Sequence, residues 1–373
     1  MALSESEHCA SAAVQRVTVN GYGADGSGVA RLEDGKVVFI RSAARGDVLE
    51  IKLTRERPRS AEAEIVRILE PSPYRIEPDC PVYPKCGGCD FRHISYEEEL
   101  ELKLRRVNDA MERIGGSSAR SSEILRTGRT GGYRNKAVFH SDGDSLGFYE
   151  ARMHKVVPVS RCLLLKDDLN AALETLSPKS GVTLRSGRNG LGYPLEEVLD
   201  GLVFGVSGFF QVNTGAALLL FRKAREYASL SKDETLVDLY CGVGSLTLFV
   251  GRDAGRALGI EVDAGAVEAA RVNARRNNIS HVEFLCADAA RWDAGALRPD
   301  CIIVDPPRKG LSLGAISKAL ELSPSRIVYI SCDPATLARD VSRLKGYAVK
   351  DICAVDMFPR TANVECCCLL KKV

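Results

Sequence analysis

From Thr235 to its C-terminus the chain alternates regularly between apolar strands and helical segments, and this pattern constrains the fold more than any other feature. Strands separated by helices form largely parallel, doubly wound sheets. In such sheets ligands bind at the carboxyl ends of the strands. We therefore predict an α/β fold with a C-terminal hairpin. The predicted strands lie near 236–240, 257–261, 282–286, 301–304, 326–330, 348–355 and 364–370, and the predicted helices near 245–251, 264–277, 314–322 and 334–345.

Two of these strands stop abruptly at residues suited to chemistry. The run Cys301–Val304 ends at Asp305–Pro–Pro–Arg308, and a second apolar run ends at Cys332–Asp333–Pro334. Proline lacks an N–H and restricts the residue before it, so both segments must leave the strand there. A thiol beside the start of a helix tends toward the nucleophilic thiolate. Cys332 is thus a candidate nucleophile, the alternative being a small buried hydrophobic residue.

A glycine turn after the first strand of this region predicts a nucleoside cofactor. The segment Asp238–Leu–Tyr240–Cys–Gly242–Val–Gly244 lets the backbone approach a ligand closely, but Thr247 breaks the full dinucleotide pattern. Glu261, about 20 residues further on, suits a ribose diol, and Asp288 suits a base amino group. A nucleoside without a pyrophosphate indicates S-adenosylmethionine rather than NAD.

Residues 14 to 70 alternate apolar with polar side chains between glycine-rich turns, which predicts a small five-stranded β-barrel. Such barrels commonly bind nucleic acid, although a structural or protein-binding role is equally compatible with the pattern. Five arginines would suit phosphates: Arg41, Arg45, Arg55, Arg57 and Arg59.

A cysteine-rich loop follows the predicted barrel. Cys80, Cys86 and Cys89 have the spacing C-x5-C-x2-C, and thiolates at such spacing suit zinc or an iron–sulfur cluster. The fourth ligand would be Cys162 or His93. Spacing alone does not choose between the two metals.

The stretch from Lys103 to Lys136 carries nine Lys or Arg against three acids, which favours a polyanionic partner over a merely solvated face. It begins in a helix that Ser95 would cap and that runs to about Ile114. A flexible connector follows near 115–122. Tyr133–Arg134–Asn135–Lys136 adds an aromatic ring and an amide. Residues 137–205 predict a second small α/β region, and Gln211 and Asn213 precede a helix as cap or ligand contacts.

Composition excludes several classes of protein. The N-terminal residues lack the basic and apolar regions of a secretory signal, and no segment approaches the about 20 apolar residues of a membrane span. Thirteen cysteines cannot all pair within the chain, which indicates a reducing cytoplasm. We expect a cytoplasmic protein without membrane or DNA partners.

The chain resembles the RNA uracil-C5 methyltransferase family nearly end to end, and its bacterial 23S rRNA members most. The resemblance implies a TRAM barrel (10–72), a central iron–sulfur and RNA-binding domain (73–205) and a Rossmann-like, seven-stranded class I methyltransferase domain (206–373). It also implies a monomer that makes 5-methyluridine in 23S rRNA. The matching segments are Cys80…Cys86–Gly–Gly–Cys89, Tyr133–Lys136, Phe209–Asn213, Asp238–Gly244, Asp305–Arg308, Ser331–Asp340 and Asp356–Glu365.

The resemblance also implies roles for individual residues. It makes Cys332 the nucleophile and Glu365 the proton acceptor. The chemistry of such a reaction further predicts that Asp305 orients the substrate and Arg308 the developing enolate. The resemblance implies a [4Fe–4S] cluster, with ligands Cys80, Cys86, Cys89 and Cys162. It places Gln211, Tyr240, Glu261, Asp288 and Asp305 in the S-adenosylmethionine pocket, and the glycine turn adds Gly242 and Gly244.

Two departures from the family pattern stand near the predicted base. Asn363 occupies a position where the family usually has His, and Cys366–Cys–Cys368 is an unusual run of thiols for a buried strand. Three alternative functions stay open: the same reaction on the tRNA T-loop, a non-catalytic RNA-binding iron–sulfur protein, and a redox sensor.

Overall fold

The computed structural model describes residues 14–191, 195–206 and 210–373, so Phe209 and barrel residues 10–13 lie outside the described residues. The chain divides into two compact units. The first holds the described residues up to Pro84 together with Gly88–Glu99 and Arg360–Ala362. The second holds Lys85–Gly87, Leu100–Pro359 and Asn363–Val373. The boundary expected at residue 205 falls inside the second unit and stays a prediction.

The first unit contains one sheet of six strands, one more than the five of the predicted barrel. Its sheet has the order β1-β5-β6-β4-β3-β2, antiparallel except between β4 and β6. The strands β1 and β2 follow one another in the chain, stand at the two ends of this order and pair with β5 and β3. The strands are β1 Gln15–Thr18, β2 Gly21–Tyr22, β3 Gly28–Arg31, β4 Val37–Ile40, β5 Val48–Glu56 and β6 Ser60–Glu70.

The predicted basic helix is present as α1, Tyr96–Arg113, and three acidic residues occupy its first turn. Ser95 caps it, because its Oγ accepts a hydrogen bond from the backbone N–H of Glu98 at 3.3 Å.

Short strands and one short helix occupy the first half of the second unit. They form a four-stranded sheet of order β10-β9-β8-β11 and a hairpin of β12 and β13, while β7 joins the large sheet described next. The elements are β7 Ile124–Leu125, β8 Lys136–Ser141, β9 Leu146–Tyr149, β10 Val156–Pro158, α2 Asp167–Leu173, β11 Val182–Arg185, β12 Glu196–Leu199 and β13 Leu202–Gly205.

The large sheet confirms the predicted doubly wound α/β fold. Its order is β16-β15-β14-β17-β18-β20-β19-β7, and β20 runs antiparallel to both of its neighbours. The seven predicted strands gain an eighth, β7. The helix α7 ends four residues before its predicted end. The elements are α3 Thr214–Ala228, β14 Thr235–Leu239, α4 Ser245–Gly251, β15 Arg256–Glu261, α5 Ala264–Arg276, β16 Val282–Cys286, β17 Cys301–Val304, α6 Leu313–Leu322, β18 Arg326–Ser331, α7 Pro334–Val341, β19 Tyr347–Val355 and β20 Glu365–Lys372.

Hydrophobic side chains bury both faces of this sheet. One core cluster joins α3, α4 and α5 to the sheet, and the other joins α6, α7 and α1 residues such as Val107 and Met111. The thiols Cys366, Cys367 and Cys368 alternate between these two cores on β20 and are fully buried. They serve as small core residues, as free cysteines commonly do.

A buried ion pair connects α1 to the segment after β19. Lys103 Nζ lies 2.6 Å from Asp356 Oδ1, both side chains are fully buried, and the same ammonium donates to the Phe358 carbonyl at 3.1 Å. The basic stretch predicted that Lys103 is part of an exposed basic surface. That prediction is wrong for Lys103, which is buried in this ion pair.

We expect Lys103→Ala to lower the free energy of unfolding by about 3–5 kcal/mol, because it leaves the Asp356 carboxylate buried without its cation. Arg105→Ala is the matched control, since Arg105 is 62% exposed and lies 4.0 Å from Asp109. That change should cost less than about 0.5 kcal/mol. Urea unfolding of both variants measures the difference, and equal losses would contradict the prediction.

Candidate active site

Strand pairing brings the predicted nucleophile and the predicted base together. Cys332 directly follows β18, and Glu365 is the first residue of β20. These strands are antiparallel with Ser331 opposite Cys366, so extending the register by one residue brings Cys332 beside Glu365, whose charge acts on the thiol. Asp305 follows β17, the parallel neighbour of β18 on its other side. The three residues therefore meet at the carboxyl edge of the parallel strands.

Burial raises the pKa of all three acidic groups. The pKa of Glu365 rises to about 8, chiefly through burial and then through the nearby Asp305 carboxylate, while Arg308 opposes the shift. Asp305 is half-buried by surface area, yet the protein around its carboxyl raises its pKa to about 7 by desolvation. Both carboxyls therefore hold protons at neutral pH for a substantial part of the time.

The pKa of the Cys332 thiol is also raised, first by burial and then by the neighbouring Glu365 carboxylate. This differs from the thiolate expected beside a helix start. The sequence indicated the helix, α7, whose cap is Asp333, but not the carboxylates that the fold places against the sulfur. Arg308 acts in the opposite direction, by charge and by a hydrogen bond to the thiol.

Buried Asp340 fixes the turn that carries Arg308. Its Oδ2 accepts hydrogen bonds at 2.8 Å from both the Leu311 N–H and the Tyr329 hydroxyl. The neighbouring Arg339 donates to the Lys309 carbonyl at 2.7 Å. At the site, a nitrogen of the Arg308 guanidinium lies 3.5 Å from Asn363 Oδ1, so the residue that replaces the usual His faces the arginine.

The glycine turn and Glu261 form a second cluster along the same edge. One Glu261 carboxylate oxygen accepts from the Gly242 N–H at 3.1 Å, and the other accepts from Val262 and Asp263 at 2.8 and 3.0 Å. Tyr240 adopts a positive φ of 70° as the chain leaves β14. Its pKa is raised by burial and then by the charge of Asp288, which is exposed after β16. Tyr240, Glu261 and Asp288 thus follow three adjacent strands.

The two glycines of this turn have different surroundings. Gly244 has φ +77°, and a Cβ there would lie 2.7 Å from the Phe284 ring and 2.9 Å from Ala270 Cβ. Gly242 also has a positive φ, +52°, but nothing lies within 4 Å of the position that a Cβ would take there.

We expect Gly244→Ala to destabilise the protein by about 1–3 kcal/mol more than Gly242→Ala, because both variants bear the backbone strain but only the first overfills the core. Thermal unfolding of the two variants tests this. Equal losses of stability would show that Phe284 and Ala270 move aside without cost.

Asp238 is a further candidate, which the sequence indicated only as part of the glycine motif. It is fully buried at the end of β14, its pKa is raised to about 8 by burial, and Thr247 donates to one carboxyl oxygen at 2.6 Å. The other oxygen has no hydrogen-bond partner among the described residues. The sequence signal that could have identified Asp238 is an acidic residue among apolar strand residues just before a glycine turn.

Asn213 is a helix cap, whereas the role of Gln211 as a ligand contact stays a prediction. Asn213 Oδ1 accepts from the Ala216 N–H at 3.1 Å and so caps α3. Its amide nitrogen donates to the Met357 carbonyl at 3.0 Å. Gln211 lies in the irregular segment before this cap and is partly exposed.

The predicted metal ligands do not form a site in the part of the chain that the structure describes. No group of three or more described His, Cys, Asp or Glu side chains is arranged to hold a metal ion. Cys80 and Cys89 belong to the first unit, and Cys86 and Cys162 to the second. Arg92 donates a hydrogen bond to Cys89 Sγ at 3.3 Å. The [4Fe–4S] cluster stays a prediction.

Ion pairs neutralise much of the predicted basic surface. Arg45 holds buried Glu98 through two hydrogen bonds of 2.9 and 2.8 Å. Arg57, Arg105, Arg113 and Arg120 pair with exposed or partly exposed acids. Tyr133 and Asn135 are buried rather than presented to a partner. Arg55, Arg59, Arg126 and Arg129 are exposed and are better candidates for phosphate contacts.

Comparison with known proteins agrees with this architecture. Residues 204–373 match the family model described as tRNA (Uracil-5-)-methyltransferase, and residues 12–66 match the TRAM domain. An uncharacterized RNA methyltransferase of Gloeobacter violaceus is 32% identical, over 95% of this chain and 96% of its own. One from Halalkalibacterium halodurans is 30% identical, over 96% and 97%.

Among solved structures, the tRNA (uracil-54, C5)-methyltransferase of Pyrococcus abyssi, in complex with S-adenosyl-L-homocysteine, superposes with a TM-score of 0.75. It is 25% identical and covers 95% of this chain and 100% of its own. The fold and the edge of paired strand ends are those of an RNA methyltransferase. The chain belongs to the RNA uracil-C5 methyltransferase family and carries the TRAM domain at its N-terminal end. No described helix is long and apolar enough to cross a membrane.

Proposed function

We propose that the protein transfers a methyl group from S-adenosylmethionine to C5 of a uridine in RNA through a covalent adduct with Cys332. The observation that carries this proposal is the register of β18 and β20, which brings Glu365 beside Cys332, together with the charges of Arg308 and Asp305 that act on the same thiol. A thiol and a base on one substrate site suit addition to a ring followed by removal of a proton.

Uracil C5 is too weak a nucleophile to accept a methyl group unaided. Addition of the Cys332 thiolate at C6 gives C5 the character of an enolate carbon, and Arg308 stabilises the negative charge that develops. S-adenosylmethionine supplies the methyl group. Glu365 then removes the C5 proton, the C5–C6 double bond re-forms and the C6–sulfur bond breaks. Asp305 orients the uracil ring, which must leave the stack of neighbouring nucleobases to reach the Cys332 thiol.

The methyl donor would lie along the strand ends that carry the glycine turn. We assign Gln211, Tyr240, Gly242, Gly244, Glu261, Asp288 and Asp305 to its pocket. Glu261 is supported by its fixed carboxylate, which three backbone N–H groups orient. Asp238 lies behind the same turn and supports it through Thr247.

We propose 23S rRNA as the substrate, because the TRAM barrel and the cysteine loop together resemble those of the bacterial 23S rRNA members. We also propose that the enzyme is a monomer and acts in the cytoplasm. The likeness to the Pyrococcus abyssi enzyme, which is named for tRNA uracil-54, supports a second candidate, the tRNA T-loop. RNA carrying 5-fluorouridine separates the two, because fluorine at C5 blocks the final elimination and traps the enzyme on its substrate.

An S-adenosylmethionine-dependent adduct with 23S rRNA transcripts supports the first candidate, and an adduct with tRNA alone supports the second. A protein that binds RNA but forms no adduct with either would instead be a non-catalytic binding protein, and the proposal would fail.

We also propose that Cys80, Cys86, Cys89 and Cys162 bind a [4Fe–4S] cluster, on the chemistry of four cysteine donors, and we assign no catalytic step to it. Anaerobically purified protein should carry iron and sulfide with broad visible absorption, and Cys86→Ser should lose both. Colourless protein that reconstitution leaves free of iron would overturn this assignment. A redox-sensing role would require that oxidation abolish activity while RNA affinity stays unchanged.

A further inference from the structure

A cluster of buried and partly buried polar side chains lies beside the irregular segment that precedes α3. We call Asn135, Arg185, Glu197 and Thr214 the Asn135 cluster. Asn135 Nδ2 lies 2.9 Å from Glu197 Oε1 and 3.2 Å from Thr214 Oγ1, and the Thr214 hydroxyl lies 3.1 Å from the other oxygen of Glu197. Asn135 is fully buried and Glu197 nearly so. Both oxygens of the Glu197 carboxyl thus have partners inside the cluster.

The cluster holds three consecutive backbone carbonyls of that segment. Arg185 donates to the Phe210 carbonyl at 2.9 Å, and Asn135 Nδ2 donates to the Gln211 carbonyl at 3.1 Å. The backbone N–H of Asn135 donates to the Val212 carbonyl at 2.9 Å. Because the segment belongs to no helix or strand, these hydrogen bonds replace the ladder that would otherwise fix its backbone.

The Asn135 cluster lowers the stability of the folded protein in two respects. Burial raises the pKa of Glu197, and the charges and hydrogen bonds around it only partly offset that shift. Asn135 Oδ1 and one Arg185 nitrogen are also buried without a hydrogen-bond partner among the described residues. Native proteins rarely leave buried polar atoms unpaired, so each such atom requires an explanation.

We propose that Asn135 is a positioning residue that fixes the Gln211 segment for the methyl donor, with Glu197 holding the Asn135 amide in the donating orientation. Glu197 accepts from Nδ2, so the amide nitrogen faces the Gln211 carbonyl. The inference rests on the proposed function, because it concerns the side chain assigned to the S-adenosylmethionine pocket. The inference assigns Asn135, within the Tyr133–Lys136 motif, to binding of the methyl donor rather than to binding of RNA.

The test compares Asn135→Ala with Asn108→Ala. Asn108 is the matched control, because its side chain also bonds to backbone, through two hydrogen bonds of 2.9 and 3.1 Å, but both join it to Ser121 and neither to the Gln211 segment. Calorimetry measures the Kd of S-adenosylmethionine, gel shifts measure the Kd of RNA, and single-turnover assays separate KM from kcat. Thermal unfolding reports stability.

We expect Asn135→Ala to raise the Kd and KM for S-adenosylmethionine about tenfold or more, the effect of one lost hydrogen bond or its equivalent. RNA affinity should stay unchanged, and Asn108→Ala should leave the cofactor Kd unchanged. If Asn135→Ala does not fold, Glu197→Ala serves, because it removes the acceptor that holds the Asn135 amide in its donating orientation. A folded variant at either position that binds S-adenosylmethionine like wild type would overturn the inference alone. Wild-type protein that binds none would overturn the proposed function as well.

Discussion

Replacing Cys332 by Ala or Ser should reduce methyl transfer to RNA by at least about 10⁴-fold, because without the thiolate C5 never becomes nucleophilic. The adduct with 5-fluorouridine RNA should disappear in both variants. Serine keeps the shape of the site but replaces the thiol by a far weaker nucleophile, so it separates loss of chemistry from loss of packing.

The control for this experiment is Cys286→Ala, which removes an exposed thiol at the end of β16. Methyl transfer should stay within about threefold of wild type, as for a surface substitution away from the reacting groups. An adduct that survived in Cys332→Ala, or that disappeared in Cys286→Ala, would assign the covalent bond to another cysteine.

Replacing Glu365 by Gln should stop turnover while leaving the first half of the reaction intact. The variant should form the adduct with 5-fluorouridine RNA at a rate near that of wild type, because that product needs no base. On ordinary uridine it should accumulate a methylated covalent intermediate, since the C5 proton is no longer removed. Loss of adduct formation itself would mean that Glu365 acts earlier, for example on the thiol proton.

The pH dependence provides a second readout of the same group. A base works only when deprotonated, and the pKa of Glu365 is about 8, so resolution of the adduct should slow as pH falls through that value. Adduct formation should also fall with decreasing pH, but from a higher pH, since the pKa of the thiol is raised from 9.0. The pH dependence near 8, which reports Glu365, should be absent in Glu365→Gln. Single-turnover rates between pH 6 and 10 distinguish the two steps, because 5-fluorouridine RNA reports adduct formation and ordinary uridine RNA reports the complete reaction.

The sequence predicted the strands and helices of the catalytic half to within a few residues because their signals are local. Apolar runs such as Cys301–Val304 end at prolines, and side chains such as Asp333 cap the helices that follow. The eighth strand, β7, has only two residues and joins the sheet through β19, so it left no periodic signal.

The features that prediction missed all depend on contacts distant in the chain. Lys103 was counted with the basic surface because its partner, Asp356, is 253 residues away. The hydrogen bonds of Asn135 reach residues 62 to 79 positions further on. The raised pKa of Cys332 reflects Glu365, which only the insertion of β20 brings to the thiol. Local patterns establish the elements, whereas the protonation states in the site follow from their pairing.

The antiparallel β20 has a consequence for how enzymes built like this one diversify. The strands that carry the proposed nucleophile and the proposed base are joined by a ladder of backbone hydrogen bonds, from Arg326–Lys371 to Ser331–Cys366. The loops, which as a rule vary most among homologues, do not set this register. Insertions and deletions in those loops can alter which RNA is accepted while the register of sulfur and carboxylate stays constant. Selection for a new target nucleotide can therefore proceed without rebuilding the reaction.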